Sequence, residues 1–306
     1  MPDIISIGEP LFELNQPKDE SIFRQGHGGD TSNCAIAAAR QGASVAYVTA
    51  VGADQFGDSF MRLWQEEGVD TSAVHKSPVA HTGIYFVTHG PDGHVFSYMR
   101  AGSAASRMTP EQLPVEMIKG ARILHASGIS QAISSSAADT VFAAMRIARS
   151  AGVTVSYDTN LRLRLWPLDR ARAVIHSAVA LADIVRPGLD DARHLTGLVE
   201  PDAIVDFYLS MGAKIVALTL GEDGAIVATA EHRERLDPIA VRLVDATGAG
   251  DMFDGAFLAE YLRTGDPFAS ARYANMAAAL STEGYGAVAP MPRREAVEAA
   301  IAAGRT

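Results

Sequence analysis

Short apolar or β-branched runs alternate with helix-period stretches along most of the chain. The runs at Ile4–Ile7, Val45–Val51, Arg122–Ala126, Val153–Tyr157, Asp183–Val185 and Ile215–Leu220 read as strands. Ala-rich segments with helical spacing lie between them, at Asn33–Gln41, Phe56–Glu67, Ser135–Ala151, Ala171–Ala180 and Asp202–Met211. Strand, helix, strand in this rhythm predicts βαβ units and a mostly parallel sheet. The last third changes character, with helices at Gly248–Leu262, Phe268–Thr282 and Arg294–Ala303 nearly in a row.

Two segments break the alternation. Thr82–Thr88 and His94–Arg100 have strand periodicity and are joined by Gly90-Pro91-Asp92-Gly93, a hairpin signal. Pro10–Phe23 has no helical period and is read as irregular. The expectation is one α/β body over residues 1–306, with a small β lid contributed by about residues 9–29 and 81–104. No internal repeat, low-complexity tract or Ser/Pro-rich linker divides the chain.

Composition narrows the picture. The 306 residues are about twice a typical ~150-residue domain, and 48% are hydrophobic, enough for a sizeable core. Lys and Arg number 26 against 36 Asp and Glu, a formal charge of −10. Such an acid excess argues against nucleic acid or an anionic membrane as the partner. An anionic small molecule would need positive groups gathered locally. The single cysteine, Cys34, allows no intrachain disulfide. The opening MPDIISIGEPLFEL lacks the features of a signal peptide, and no apolar run reaches the ~18 residues of a membrane span. The expected location is the cytoplasm.

The most informative segment is Asp245-Ala246-Thr247-Gly248-Ala249-Gly250-Asp251, which follows the strand-like run Ala240–Val244 and opens a helix. Glycines there leave backbone N–H groups bare at a helix N-terminus, an anion hole suited to phosphate. Asp251, in the first turn, is placed to take the proton of a hydroxyl attacking that phosphate. The string is not a dinucleotide fingerprint, since Phe253 stands at the third glycine position. It is not a Walker A loop, since the chain has no Gly-Lys dipeptide.

This string resembles the C-terminal signature of the ribokinase-like (PfkB) carbohydrate kinases. The N-terminal signature is matched by Gly28-Gly29-Asp30-Thr31-Ser32-Asn33 with its Ala-rich helix, and by Val48–Gly57. Thr219-Leu220-Gly221-Glu222-Asp223-Gly224 resembles the family's nucleotide-phosphate turn, and the likeness runs in order through the chain. It implies a three-layer α/β/α body with a mostly parallel sheet and a small β-sheet lid. It makes Asp251 the catalytic base and Gly248, Ala249 and Gly250 the anion hole for the transferring phosphoryl group. Thr219, Gly221, Gly224 and Gly250 would face the ATP phosphates, Asn275 would border the nucleotide, and Mg2+ would accompany ATP. The loop holding Asp245 and Thr247 implies a monovalent cation, K+. One departure concerns an Asn-x-x-Glu that organises Mg2+ in many members. The matching stretch here is Pro187-Gly188-Leu189-Asp190-Asp191, with Gly188 for Asn and Asp191 in the place of Glu.

Arg100 and Arg162 stand in the segments that choose the sugar. Two arginines converging on one site suit a carboxylate, which guanidinium groups bind in bidentate fashion. These segments resemble 2-keto-3-deoxygluconate kinases, in which the residues matching Gly29, Tyr85, Tyr98, Arg100 and Arg162 contact the substrate. Asn33 joins this substrate set, and Asp30 is either a sugar-hydroxyl partner or a turn residue. The implied reaction is phosphorylation of 2-keto-3-deoxy-D-gluconate by Mg·ATP, with a neutral-sugar kinase such as fructokinase as the alternative. The choice between gluconate- and galactonate-derived acids stays open. The exposed lid implies pairing with a second copy.

Other signals are weaker. Ser130 in Gly128-Ile129-Ser130-Gln131-Ala132 is one residue from a nucleophile elbow, with His176, His194 and His232 downstream. The closing Ala132 and the missing oxyanion-loop motif favour a strand-to-helix loop over a hydrolase. His75, His81, His89 and His94 lie in or near the lid without the tighter spacing of a zinc site. A sugar sensor without catalysis would not need Asp251 and its anion hole intact.

Overall fold

The computed structural model describes residues 1–17, 21–90 and 93–305. The strands are β1 (Ile4–Ile7), β2 (Leu11–Asn15), β3 (Arg24–Gly28), β4 (Val45–Gly52), β5 (Val74–Ser77), β6 (Gly83–Gly90) and β7 (Gly93–Met99). They continue as β8 (Ile123–Ser127), β9 (Thr154–Asp158), β10 (Ile184–Arg186), β11 (Ile215–Thr219), β12 (Ala225–Ala228) and β13 (Arg233–Leu236). The large sheet runs β13-β12-β11-β10-β9-β8-β1-β4-β5. Its members from β11 to β5 in that order are parallel; β12 is antiparallel to β11 and β13 to β12, so β12 alone runs against the rest.

Strand alternation divides the core in two. Ile4, Val45, Ile123, Ile184 and Ile215 point to one face, and Ile5, Ala46, Leu124, Val155, Val185 and Val216 to the other. The first face carries the helices Asp30–Arg40, Gln55–Glu66, Ala249–Thr264, Pro267–Ser281 and Arg294–Ala302. The second carries Ser135–Ser150, Leu168–Val179 and Pro201–Ser210. Both faces being covered explains why the strands read as continuous apolar runs. The result is the three-layer ribokinase-like α/β/α arrangement, with a small second sheet beside it.

The small sheet runs β3-β2-β6-β7, with β2 and β6 parallel and the outer pairs antiparallel. The hairpin of β6 and β7 matches the sequence pattern, while its turn residues Pro91 and Asp92 lie outside the described residues, as do Lys18–Glu20 of the expected lid. The segment read as irregular holds β2. Leu11 packs with Tyr85 and Val87, whereas Phe12 enters the core of the body, so two successive apolar positions are buried and no period-2 signal survives. β3, Arg-Gln-Gly-His-Gly, has no aliphatic side chain and is held by its pairing to β2.

Ala240–Val244, expected to be strand-like, forms none. Leu243 is exposed, and the amides of Val244 and Asp245 both donate to the Thr282 carbonyl, at 2.8 and 3.1 Å. That ties the segment to the end of the Pro267–Ser281 helix and not to a strand.

The Asp30–Arg40 and Ala249–Thr264 helices meet at Gly255. A Cβ there would stand 2.5 Å from Ala37 Cβ and 2.6 Å from the backbone N of Ala38 and O of Cys34. Two of those atoms are main chain and have nowhere to go. Gly255→Ala gains about 1 kcal/mol of helix propensity but forces the helices apart. We predict a net loss of about 2 kcal/mol in urea-unfolding stability; a stability equal to or above wild type would show that the helices separate freely.

Candidate active site

The carboxyl ends of adjacent parallel strands, the usual place for a ligand in an open α/β sheet, gather the charged side chains. Asp158 ends β9, Arg186 ends β10 and Thr219 ends β11, while Glu9 follows β1. Asp251 comes to this edge on the first turn of the Ala249–Thr264 helix. That helix begins at Gly248 in the left-handed region (φ 78°), where an added Cβ would stand 2.9 Å from the Ala287 carbonyl. A side-chain-bearing residue is excluded there on both counts.

The Asp251 carboxylate accepts from Asn33 Nδ2 at 2.8 Å. Asn33 leaves its buried Oδ1 without a partner, an unused acceptor beside Asp251. Burial and then the neighbouring Asp30 push the Asp251 carboxyl up to about 7. Asp30 itself caps backward onto Thr31 N–H (2.9 Å) and receives Asn160 Nδ2 (2.8 Å), so it holds both helix and strand end in place. Asn160 sits at φ 27°, outside the comfortable region for a non-glycine, with its amide on Asp158 Oδ1.

Of the residues expected to form an anion hole, Ala249 turns its amide back on the preceding loop. Its N–H donates to the Ala246 carbonyl at 3.2 Å, leaving the amides of Gly250 and Asp251 as the open donors of the first turn. Behind Gly250 lies a feature that the motif did not signal. Arg186, nearly buried, donates from Nε to Asp254 Oδ1 (3.0 Å), from Nη2 to Asp254 Oδ2 (2.7 Å), and closely to Asp158. Its signal in the sequence was a lone arginine ending an apolar strand, and an acid at the sixth position of the Ala249–Thr264 helix, amid apolar neighbours.

The turn expected to face the nucleotide has Gly221 (φ 65°) and Gly224 (φ 86°), which reverse the chain between β11 and β12. It is joined to the β10 end, since Thr219 N–H donates to the Pro187 carbonyl at 3.0 Å. Asn275 donates to the Asp237 carbonyl (2.9 Å) and lines a cavity of about 700 Å³ with Leu236 and Met276. No other candidate residue borders that cavity.

The sugar-choosing residues divide. Tyr85 stacks on Tyr98 with ring centres 5.9 Å apart and donates to Glu13. Gly29 has φ 102°, and a Cβ on it would strike the Glu9 carbonyl. Arg100 is not a free cation: Glu9, fully buried, takes its Nε (2.9 Å) and Nη2, and also Ser103 Oγ (2.6 Å). Arg162 is the open one, its side chain 51% exposed, with Asp191 3.7 Å away.

Asp191, expected in the place of a Glu that organises Mg2+, is the acid beside Arg162. Its Oδ2 accepts the Leu161 amide at 3.0 Å and faces Arg162, and no cluster of three or more His, Cys, Asp or Glu suited to a metal ion exists among the described residues. Room remains beside Gly188, where a Cβ would come no nearer than 3.9 Å to Thr219 Oγ1. Asp245 accepts Thr247 N–H (2.9 Å) and Oγ1–H (2.7 Å) on one oxygen and Gly286 N–H (2.9 Å) on the other. These bonds tie the loop holding Asp245 and Thr247 to the segment at Gly286. Ser130 is buried, hydrogen-bonded to Ser127 Oγ and the Ile7 carbonyl at 3.1 and 3.2 Å. His176 packs on Phe207 and His232 on Phe268, so the hydrolase constellation does not assemble.

The charge state of Asp251 yields a prediction. A carboxyl raised from 3.8 to about 7 stays protonated in the folded state where the unfolded chain has released it, so stability falls as pH rises from about 4 to 7. Asp251→Asn removes that penalty. It should unfold at higher urea than wild type at pH 8, by on the order of 1–3 kcal/mol, and show little gain at pH 4.5. A difference independent of pH would place the burden elsewhere.

The profile of the pfkB family of carbohydrate kinases matches residues 1–294. The chain is 33% identical over 314 residues to a 2-dehydro-3-deoxygluconokinase of Bacillus subtilis, covering 99% of this chain and 97% of the relative. It is also 33% identical over 308 residues to fructokinase-1 of Zea mays, covering 94% of each. The structure of a Vibrio cholerae fructokinase with fructose, ADP and calcium ion superimposes with a TM-score of 0.89 at 29% identity, covering 98% of both chains.

Proposed function

The chain belongs to the pfkB family of carbohydrate kinases, and within it we propose that it transfers the γ-phosphoryl group of ATP to the terminal hydroxyl of 2-keto-3-deoxy-D-gluconate. The hydroxyl oxygen forms a bond to the γ-phosphorus, and the bond from that phosphorus to the bridging oxygen of ADP breaks. Asp251 takes the hydroxyl proton. Its elevated proton affinity suits a base working near neutral pH, and Asn33 fixes the carboxylate's direction. The Gly250 and Asp251 amides, with Gly248 shaping the turn, meet the charge that grows on the transferring group. Thr219, Gly221 and Gly224 take the outer phosphates, and Asn275 borders the nucleoside. Mg2+, carried in on ATP, would neutralise phosphate charge, with Asp191 the carboxylate expected to organise it.

The observation that carries the acid-sugar reading is Arg162, a half-exposed guanidinium at the same strand edge as Asp251. Tyr85 and Tyr98 give a stacked wall, and Gly29 and Asp30 a hydroxyl-facing edge. The name of the Bacillus subtilis relative supports the same substrate. A neutral sugar such as fructose is the second reading. It is favoured by the closure of Arg100 onto Glu9, which leaves less positive charge for a carboxylate. The assay is ADP release with Mg·ATP over ketodeoxygluconate, ketodeoxygalactonate, fructose and ribose. Arg162→Ala should raise KM for ketodeoxygluconate about tenfold or more while leaving slow turnover of fructose little changed. Equal loss on both sugars would make Arg162 structural, and turnover of fructose alone would select the second reading.

The small sheet is proposed as a lid over this site and as the contact with a second copy. β7 exposes Val95, Phe96, Tyr98 and Met99, a row of apolar groups on an outer strand. Val95→Asp should convert a dimer to monomers in sedimentation velocity. A wild-type chain that sediments as a monomer would refute the pairing.

A further inference from the structure

The anion-hole helix and the nucleotide turn belong to different parts of the chain, and one side chain stands between them. Arg186 ends β10. One residue later, the Pro187 carbonyl receives the Thr219 amide that anchors the nucleotide turn. In the other direction, both terminal nitrogens of Arg186 would lie 3.2 Å from a Cβ at Gly250. Its guanidinium therefore rests directly under the amide that opens the anion hole. It is fixed there from two sides, by Asp254 one turn along the same helix and by Asp158, its neighbour across the β9–β10 register. With side-chain exposure of 11% for Arg186, 2% for Asp158 and 5% for Asp254, the cluster is closed to water. In such surroundings a forked donor holds its partners to one geometry.

From these contacts we infer that Arg186 is a positioning residue for phosphoryl transfer. It locks the first turn of the Ala249–Thr264 helix to the strand end that carries the nucleotide turn, and it supplies the positive charge behind Asp251. The inference rests on the reading of Asp251 as the base. The charged groups that face Asp251 come from every element around it: Asp30 from the Asp30–Arg40 helix, Asp158 from β9, Asp254 from its own helix and Arg186 from β10. The hydroxyl of Tyr85 on β6 and the thiol of Cys34 complete the surroundings. Among them Arg186 alone favours the ionised base, and Asp254 opposes it.

That opposition gives a test which a purely structural role would not pass. The acidic limb of the kcat/KM profile is followed for wild type, Arg186→Met, Arg186→Lys and Asp254→Asn. Loss of the guanidinium in Arg186→Met should move the limb upward by about one pH unit and lower the plateau kcat about 10²-fold. Arg186→Lys should return the limb to its wild-type position. Asp254→Asn, which keeps shape and releases Arg186 toward Asp251, should move the limb downward. A limb unmoved in both Arg186→Met and Asp254→Asn, or moved the same way in both, overturns the inference. Should Arg186→Met fail to fold, judged by its near-UV spectrum, the direction of the Asp254→Asn shift decides alone. Asp251→Asn separates the two levels: turnover within tenfold of wild type would overturn the base itself. A dead Asp251→Asn together with unmoved limbs would overturn only the part given to Arg186.

Discussion

The site depends on how closely two helices can pass. With no side chain at Gly255, the Ala249–Thr264 helix settles against the backbone of Cys34 and Ala38. One turn toward its start, that closeness puts Asp251 within hydrogen-bond reach of Asn33. The other supports act on the same helix start from different directions. Gly248 lets the chain turn beneath Ala287, and Asp245 ties the preceding loop to Gly286. Arg186 grips Asp254 from the sheet side. An amide donor is useful to a developing oxyanion only if it need not move when the charge appears, and this helix start is held from the helix, loop and sheet sides.

The protein's −10 formal charge looks ill suited to phosphates and acid sugars, and the carboxyls around the site deepen that impression. Asp30, Asp158, Asp251 and Asp254 crowd around a single guanidinium, and burial drives Asp158 well above the ordinary carboxylate range despite that partner. The local acid excess has a use. Burial first, and then the neighbouring acids, keep the proton affinity of Asp251 high. In the proposed reaction the positive charge for ligands comes from groups that contribute nothing to net charge, the amides of a helix start, and from Arg162, half-exposed beside Asp191.

Much of this was legible in the sequence, for reasons that can be named. β1, β4, β8, β9, β10 and β11 are covered on both faces, so each shows as an apolar run within a residue or two of its observed limits. The glycine-rich start of the Ala249–Thr264 helix is a local feature, and local features survive in sequence. β2 was hidden because its two faces meet different cores, and β3 because backbone pairing leaves no side-chain signature. The same limit applied to charge. Arg100 and Arg162 look alike as letters, but a buried Glu9 some ninety residues from Arg100 closes one and leaves the other open. Glu9, Asp158, Arg186 and Asp254 form pairs only through the order of strands in the sheet, which periodicity does not contain.

Glu9 has a mechanical consequence as well. The chain passes between the body and the small sheet at residues 8–10, 28–30, 80–83 and 100–104, and every passage touches Glu9. Its carbonyl lies against Gly29, its carboxylate beside Gly83, and the same carboxylate takes Arg100 and Ser103. A platform carried by straps that cross at one point can tilt about that point but cannot slide, since sliding would shear a buried ion pair. All four connections of the small sheet thus converge on one buried carboxylate, and the ion pair it makes with Arg100 ties the two sheets together at that point.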